Sequence, residues 1–164
     1  MGFFQDKDID INLLETILAN ETQVQNPVLG YYAQYQLKSK LKDFSPETLN
    51  DFQDDGDLSI EIDASKYVVE CKLISKKIKK GNARYIQLQS SNCRKVHAIS
   101  GEEHRTCKYV VGTFDIIAAC TFPIDGKWNF LFYNAANLKQ DGKGFWSTIQ
   151  MINGNWDENI RKVL

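Results

Sequence analysis

Three side chains in the stretch DDGDLSIEIDASKYVVECKL have the types and spacing to hold a cation and act on a phosphate: Asp57, Glu70 and Lys72. LSIEI (58–62) and YVVECKL (67–73) both read as strands, and DASK (63–66) reads as the turn of a hairpin between them. With Ile62 placed opposite Tyr67, Asp57 falls opposite Lys72 and Ser59 opposite Glu70. Side chains two apart share a face of a strand, so Asp57, Glu70 and Lys72 can converge at one end of the hairpin. Two carboxylates and the main-chain carbonyl of Cys71 are hard oxygen ligands that suit Mg2+, for which Mn2+ could substitute. Such an ion polarises a phosphate and lowers the pKa of a bound water. The Lys72 ammonium can orient that water or steady charge developing on the phosphorane oxygens. The competing reading is a surface hairpin with an incidental Glu-x-Lys tripeptide. Against it stands the interruption of an apolar strand, YVV-E-C-K-LI, where burial of charge is costly.

These residues need a scaffold, and the hydrophobic pattern predicts one. Ile11, Leu14, Ile17 and Leu18 recur at helical spacing within 8–20, with Asp8 or Asp10 as a cap. Residues 28–42 form a second expected helix that presents Leu29, Tyr32, Ala33, Leu37 and Leu41 on one face, with Pro27 at its start. Residues 43–56 read as a short helical turn near Pro46–Asn50 followed by an acidic loop. After the hairpin, ARYIQLQSS predicts a third strand. Residues 90–108 read as irregular, KYVVGTFDIIAACTF as one or two buried strands, and KWNFLFYNA as a strand after an Asp125-Gly126 turn. Residues 146–164 read as weakly structured, with a possible terminal helix. Helices followed by a run of strands imply an α+β fold, α/β/α-like, with a mixed central sheet flanked by helices. A length of 164 residues fits one domain spanning 1–164: N-terminal helices over 8–42, the hairpin and sheet over 57–135, and a C-terminal extension over 136–164.

Composition is that of a globular chain, 43% hydrophobic and 25% charged, which argues against disorder. No apolar run has a membrane span's length, and the first residues lack the pattern of a signal peptide. Four cysteines without a secretory signal are expected to be reduced thiols of a cytoplasmic protein. The net charge of −1 conceals a split. Residues 1–63 carry four basic against thirteen acidic side chains, and residues 64–164 carry sixteen against eight. Eleven of the basic ones fall within 66–108, a concentration that suits a polyanion such as DNA. The plain alternative is a solvated basic face.

The hairpin segment resembles the PD-(D/E)xK nuclease superfamily, the fold of type II restriction endonucleases and Holliday junction resolvases. That family begins one strand with Asp, here Asp57, and sets an acid-x-Lys tripeptide in the next, here Glu70 and Lys72; Gly56 stands where its proline is usual. The resemblance covers roughly residues 28–138. GYYAQYQLKSKL is similar to the family's first helix, with Gln34 where a glutamate commonly faces the site, and IQLQSSN offers Gln87 or Gln89 as the polar residue that follows the lysine strand. The stretch VVGTFDIIAACTFPIDGKWNFLFYNAANL resembles the later core strands. The resemblance implies a Mg2+-dependent endonuclease that hydrolyses phosphodiester bonds in duplex DNA, restriction-like and acting as a homodimer with one site per strand. Its catalytic residues would be Asp57, Glu70, Lys72, Gln34 and Gln89. Its metal ligands would be Asp57, Glu70 and the Cys71 carbonyl. The alternatives are a mobile-element (homing) or repair (junction-resolving) nuclease, or an inactive nuclease fold that binds DNA or a partner, which Gln34 in place of Glu would suit.

Lys76, Lys77, Lys79 and Lys80, together with Lys95 and Lys108, are candidates for phosphate contacts, and Arg84, Arg94 and Arg105 for base reading. Cys93, His97, His104 and Cys107 form C-x3-H-x6-H-x2-C, four N/S ligands without the paired knuckle of a zinc finger. A polar segment with DNA-facing basic residues is the favoured reading of that stretch, and zinc is not the expected cofactor. Asp115 is expected to end a buried strand and to pair with Arg105 or Lys108, and Trp128 and Phe130 are expected in the core. The glycine-rich phosphate loops and the G-x-S-x-G elbow are absent.

Overall fold

A computed structural model of the chain describes residues 10–42, 50–51, 57–75, 84–89, 94–97 and 103–164. The chain divides into two compact units, Met1–Tyr32 and Ala33–Leu164. The first unit contains helix α1 (Ile11–Asn20), whose N-terminus is capped by the Asp10 carboxylate accepting from the N–H groups of Asn12 and Leu13. Helix α2 (Thr22–Lys42) begins six residues before the expected start, so Pro27 lies inside it. Pro27 is the sixth residue of this helix, past its first turn, so it removes the i→i−4 bond that the Gln23 carbonyl would otherwise accept. Residues of α2 from Ala33 onward belong to the second unit.

The second unit is built on a five-stranded mixed sheet in the order β1-β2-β3-β7-β8, comprising Asn50–Asp51, Leu58–Ile62, Ser65–Leu73, Ile116–Cys120 and Phe130–Asn134. β3 and β7 run parallel and the other neighbours run antiparallel. The architecture is therefore α+β with a mixed central sheet flanked by helices. One face packs on Ala33, Leu37 and Leu41 of α2, with Leu58, Ile60, Ile62, Val69, Cys71, Phe130 and Phe132 from the strands and Ile160 near the chain end. The other face gathers Ile117 and Ala119 with Ile86, Leu88, Tyr109, Phe114, Trp146 and Trp156, and with Ala135 of a 3-10 helix (Ala135–Asn137). β7 is covered on both faces, which is why IIAAC is apolar throughout and buried at every position.

Several expectations are corrected. The hairpin turn is the two-residue pair Asp63-Ala64, both in the left-handed region with φ of 52° and 63°. The register is therefore Ile62↔Ser65 and Ser59↔Val68 instead of Ile62↔Tyr67 and Ser59↔Glu70. Of the one or two strands expected over KYVVGTFDIIAACTF one forms, β7, and Phe122–Asp125 is a short helix, α3, ended by Gly126 at φ 71°. Residues read as irregular hold the ribbon β5 (Arg94–His97) and β6 (Glu103–Thr106). The tail is more structured than its sequence suggests. β9 (Ile149–Met151) pairs with β4 (Tyr85–Gln87), a 3-10 turn spans Ile160–Lys162, and Trp156 and Ile160 are buried. Asp115 precedes β7 and accepts from the Val68 N–H at 2.8 Å, so it locks β3 to β7, while Lys108 pairs with Asp141 at 2.7 Å. Phe130 is fully buried, and Trp128 stacks on Phe122 at 4.0 Å. Cys71 and Cys120 are free and buried, as expected of reduced thiols, but Cys107 is disulfide-bonded, and its partner lies outside the described residues. The expected turn at 46–50 lies outside them as well, apart from Asn50.

Ala64 bears the strain of this turn, since a Cβ disfavours positive φ. Ala64→Gly should raise stability by about 1 kcal/mol, read as a higher urea midpoint at unchanged slope. A lower midpoint would contradict the turn as described.

Candidate functional site

The site lies along the stretch of the β3 edge that no described strand pairs. β2 covers β3 as far as Val69, and β4 rejoins the same edge at the Ile74↔Ile86 bridge, where the Ser75 N–H donates to the Tyr85 carbonyl at 2.9 Å. Residues 70–73 face the gap between them. Asp57, just before β2, extends the ladder into this gap: its N–H donates to the Val69 carbonyl at 3.1 Å, and its Oδ2 accepts from the Cys71 N–H at 2.7 Å. Within a strand, the N–H and C=O of one residue point to the same edge. The Cys71 carbonyl therefore faces the edge that holds the Asp57 carboxylate. From α2, Gln34 Nε2 donates to Asp57 Oδ1 at 2.7 Å.

Glu70 and Lys72 stand on the other face of β3 from Val69 and Cys71, at alternate positions. Glu70 is 2% exposed. Its Oε1 lies 2.5 Å from Lys72 Nζ and accepts from the Tyr109 hydroxyl at 2.5 Å. Lys72 Nζ also donates to the Tyr109 oxygen at 3.0 Å and sits 5.1 Å from the centre of its ring. Asp57, Glu70 and Lys72 influence one another electrostatically. Burial first and the Glu70 charge second push the Asp57 carboxyl up to about 6. For Lys72, burial pulls the ammonium's pKa down, but the carboxylate of Glu70, the Tyr109 hydroxyl and Asp57 outweigh it, and the net direction is upward. Lys72 is thus a cation at neutral pH. Burial and the Glu70 charge likewise push the Tyr109 hydroxyl up, so it remains protonated as a donor. Burial raises the Cys71 thiol well above its ordinary range and raises Cys120 as well, which makes both poor nucleophiles.

The structure thus brings Asp57, Glu70, Lys72, Gln34 and the Cys71 backbone together. Among the described residues no group of three or more His, Cys, Asp or Glu side chains could hold a metal ion. Two carboxylates and a carbonyl are nevertheless an all-oxygen set of the kind a hard divalent cation takes, and the carboxylates repel each other until one is neutralised. Gln89 is exposed beyond β4 and accepts from Gln87, so its described partner is its neighbour and not the carboxylate centre. The zinc set does not assemble as written, because a disulfide-bonded Cys107 offers no thiolate. His97 pairs with Glu103 and His104 with Val96, so the two histidines occupy register positions of opposite parity; Cys93 lies outside the described residues. Arg94 and Lys95 lie on β5 and Arg105 on β6, Lys95 directly across from Arg105; Arg84 is exposed ahead of β4. Lys76, Lys77, Lys79 and Lys80 lie outside the described residues. Tyr109 is the site residue that the sequence did not disclose.

No family model matches the sequence, and no curated protein matches it. Among solved structures, the chain is similar to a bacterial homing endonuclease, I-Ssp6803I, with 14% identity over 78% of each chain and a TM-score of 0.49. No helix among the described residues is long and apolar enough to cross a membrane.

The Asp57 environment sets a pH signature. In the unfolded chain this carboxyl ionises near 3.8, and in the folded protein near 6. Between those values the unfolded state has released its proton and the folded state has kept it, so stability falls as pH rises through that window. The accumulated cost is roughly 2–3 kcal/mol at neutral pH. Asp57→Asn should therefore raise the melting temperature by several degrees at pH 7.5 and leave it unchanged near pH 3.5. Calorimetric melts across pH test this, and a variant less stable than wild type at pH 7.5 would contradict the placement of Asp57.

Proposed function

We propose that this protein is a Mg2+-dependent DNA endonuclease, restriction-like in its chemistry, that hydrolyses phosphodiester bonds in duplex DNA. The observation that carries this reading is the electrostatic coupling of Asp57, held at the β3 edge by the Cys71 N–H and Gln34, to the Glu70–Lys72 ion pair on β3, which together with burial raises the Asp57 carboxyl to about 6. Such a cost is retained where a site needs concentrated negative charge. Asp57, Glu70 and the Cys71 carbonyl are the groups that would hold the ion. When bound, Mg2+ supplies Lewis acidity to the phosphate and acidity to a water.

The remaining work falls to the chain. Lys72, fixed as a cation, cannot take a proton from water at neutral pH, so its part is to donate hydrogen bonds and offset charge that grows on the phosphate oxygens. Gln34 holds Asp57 in orientation through its amide. The basic residues Lys76, Lys77, Lys79, Lys80, Arg94, Lys95 and Arg105, of which Lys95 and Arg105 face each other in the β5–β6 register, are the candidates for contacts to the DNA backbone. Cutting both strands of a duplex from one such site calls for a two-fold homodimer. Gln34 in place of an acid favours a second reading, a nuclease fold that binds DNA without cutting it.

Incubation of purified protein with supercoiled plasmid, with and without Mg2+, separates the two readings. Nicking or linearisation that requires Mg2+ is expected, and binding without cleavage would favour the second. Lys72→Ala should slow cleavage by about 100-fold or more while duplex binding measured without metal stays within about 2-fold. Cleavage at the wild-type rate by this variant would remove Lys72 from the chemistry. Neutralising Lys76, Lys77, Lys79 and Lys80 together should weaken binding to all sequences alike and flatten its salt dependence by about one counterion per lost contact. An unchanged slope in salt titrations would exclude that run from the interface.

A further inference from the structure

We infer that Tyr109 is the positioning residue of this centre, holding Glu70 in the orientation from which it can ligate a divalent cation and Lys72 in the orientation from which it meets the phosphate. This assignment deepens the nuclease reading and rests on it for the reaction, but the positioning itself is visible in the geometry. The hydroxyl closes a triangle with the directly paired charged groups, donating to Glu70 Oε1 and accepting from Lys72 Nζ at 3.0 Å. Without it, the flexible Lys72 ammonium would be the one remaining partner of the buried Glu70 carboxylate, 2% exposed, among the described residues. A lysine stem has four rotatable bonds and by itself fixes neither group. Tyrosine has a rigid ring, and its position is set from behind. Phe114 meets the ring edge-on at 5.6 Å, Trp146 backs Phe114 at 6.1 Å, and the Tyr109 carbonyl accepts from the Trp146 N–H at 3.0 Å.

This support divides the two oxygens of Glu70. Lys72 and Tyr109 both meet Oε1, and Oε2 is the oxygen we assign to a cation. The hydroxyl thus acts on ligand geometry through Glu70 and on the phosphate through Lys72, and touches neither ion nor substrate. Groups that orient a metal ligand from behind typically carry about 10- to 100-fold in affinity or activity. Tyr109→Phe removes the hydroxyl and keeps the ring against Phe114.

The test pairs two measurements on the full chain. Isothermal titration with Mg2+, without DNA, should show affinity reduced about 10-fold in Tyr109→Phe. Plasmid cleavage should show kcat reduced by about 10- to 100-fold with KM for DNA within about 2-fold, since the hydroxyl lies behind the binding surface. Phe114→Leu keeps the hydroxyl and loosens the ring behind it. It should give a smaller loss in the same two quantities, and it carries the test if Tyr109→Phe does not fold. Wild-type Mg2+ affinity and kcat in a folded Tyr109→Phe protein overturn the assignment, as does a wild-type profile for Phe114→Leu should that variant have to stand alone. A wild-type protein that binds Mg2+ but cuts no DNA overturns the nuclease reading alone, and the calorimetric comparison still decides the role of Tyr109. A wild-type protein that binds no Mg2+ overturns both.

Discussion

A carboxylate buried in the apolar face of a sheet needs partners of opposite charge and hydrogen bonds to match, and Glu70 sets that demand for the rest of the molecule. Leaving it unpaired would cost several kcal/mol, more than most single contacts of the fold return. Lys72 answers it from two residues along the same strand, and Tyr109 from a segment 37 residues on from Lys72. The packing of the second core follows from this, because Phe114 and Trp146 fix the ring that fixes the hydroxyl. On the adjoining edge, Asp57 replaces the ladder partner that β2 no longer supplies to Cys71. Burial, together with the Glu70 charge, makes ionisation of Asp57 unfavourable at that edge.

Much of this was legible in the sequence, for reasons that differ by element. The sequence pattern gives Glu70 and Lys72 a shared face of β3, since strand side chains alternate with period two, but its register is off by two residues, and Asp57 lies along the β3 edge against the Cys71 N–H and Gln34. The slip came from the turn. Asp63-Ala64 carries neither glycine nor asparagine, the usual signals for two left-handed residues, and DASK therefore read as a longer loop. The core strands Leu58–Ile62, Ile116–Cys120 and Phe130–Asn134 announced themselves through alternation or continuous apolarity, and the Asp10 cap through its position.

What stayed hidden depends on contacts distant in sequence. Tyr109 sits in KYVV, which reads as the start of a buried strand, and nothing local marks a tyrosine that will meet Glu70. β5 and β6 are short and rich in charge, so their pairing had no hydrophobic signature. β9 forms because β4 offers it an edge, and buried Gln150 is satisfied by the backbone of Lys139 and Ser147, an arrangement visible only once the tail has folded back. The cysteine count pointed to reduced thiols, whereas Cys107 is disulfide-bonded, because thiol state is set by local pairing that a count does not show.

We propose the edge of β3 beside Cys71 as a divalent-cation centre built from Asp57, Glu70 and the Cys71 carbonyl. Anomalous diffraction from crystals soaked in Mn2+ above pH 7 tests it most directly, because Asp57 is then ionised and Mn2+ reports its own position. The account predicts one strong anomalous peak about 2.0–2.3 Å from oxygens of both carboxylates and of the Cys71 main chain. A peak elsewhere, or no peak between Asp57 and Glu70 at saturating Mn2+, would contradict it.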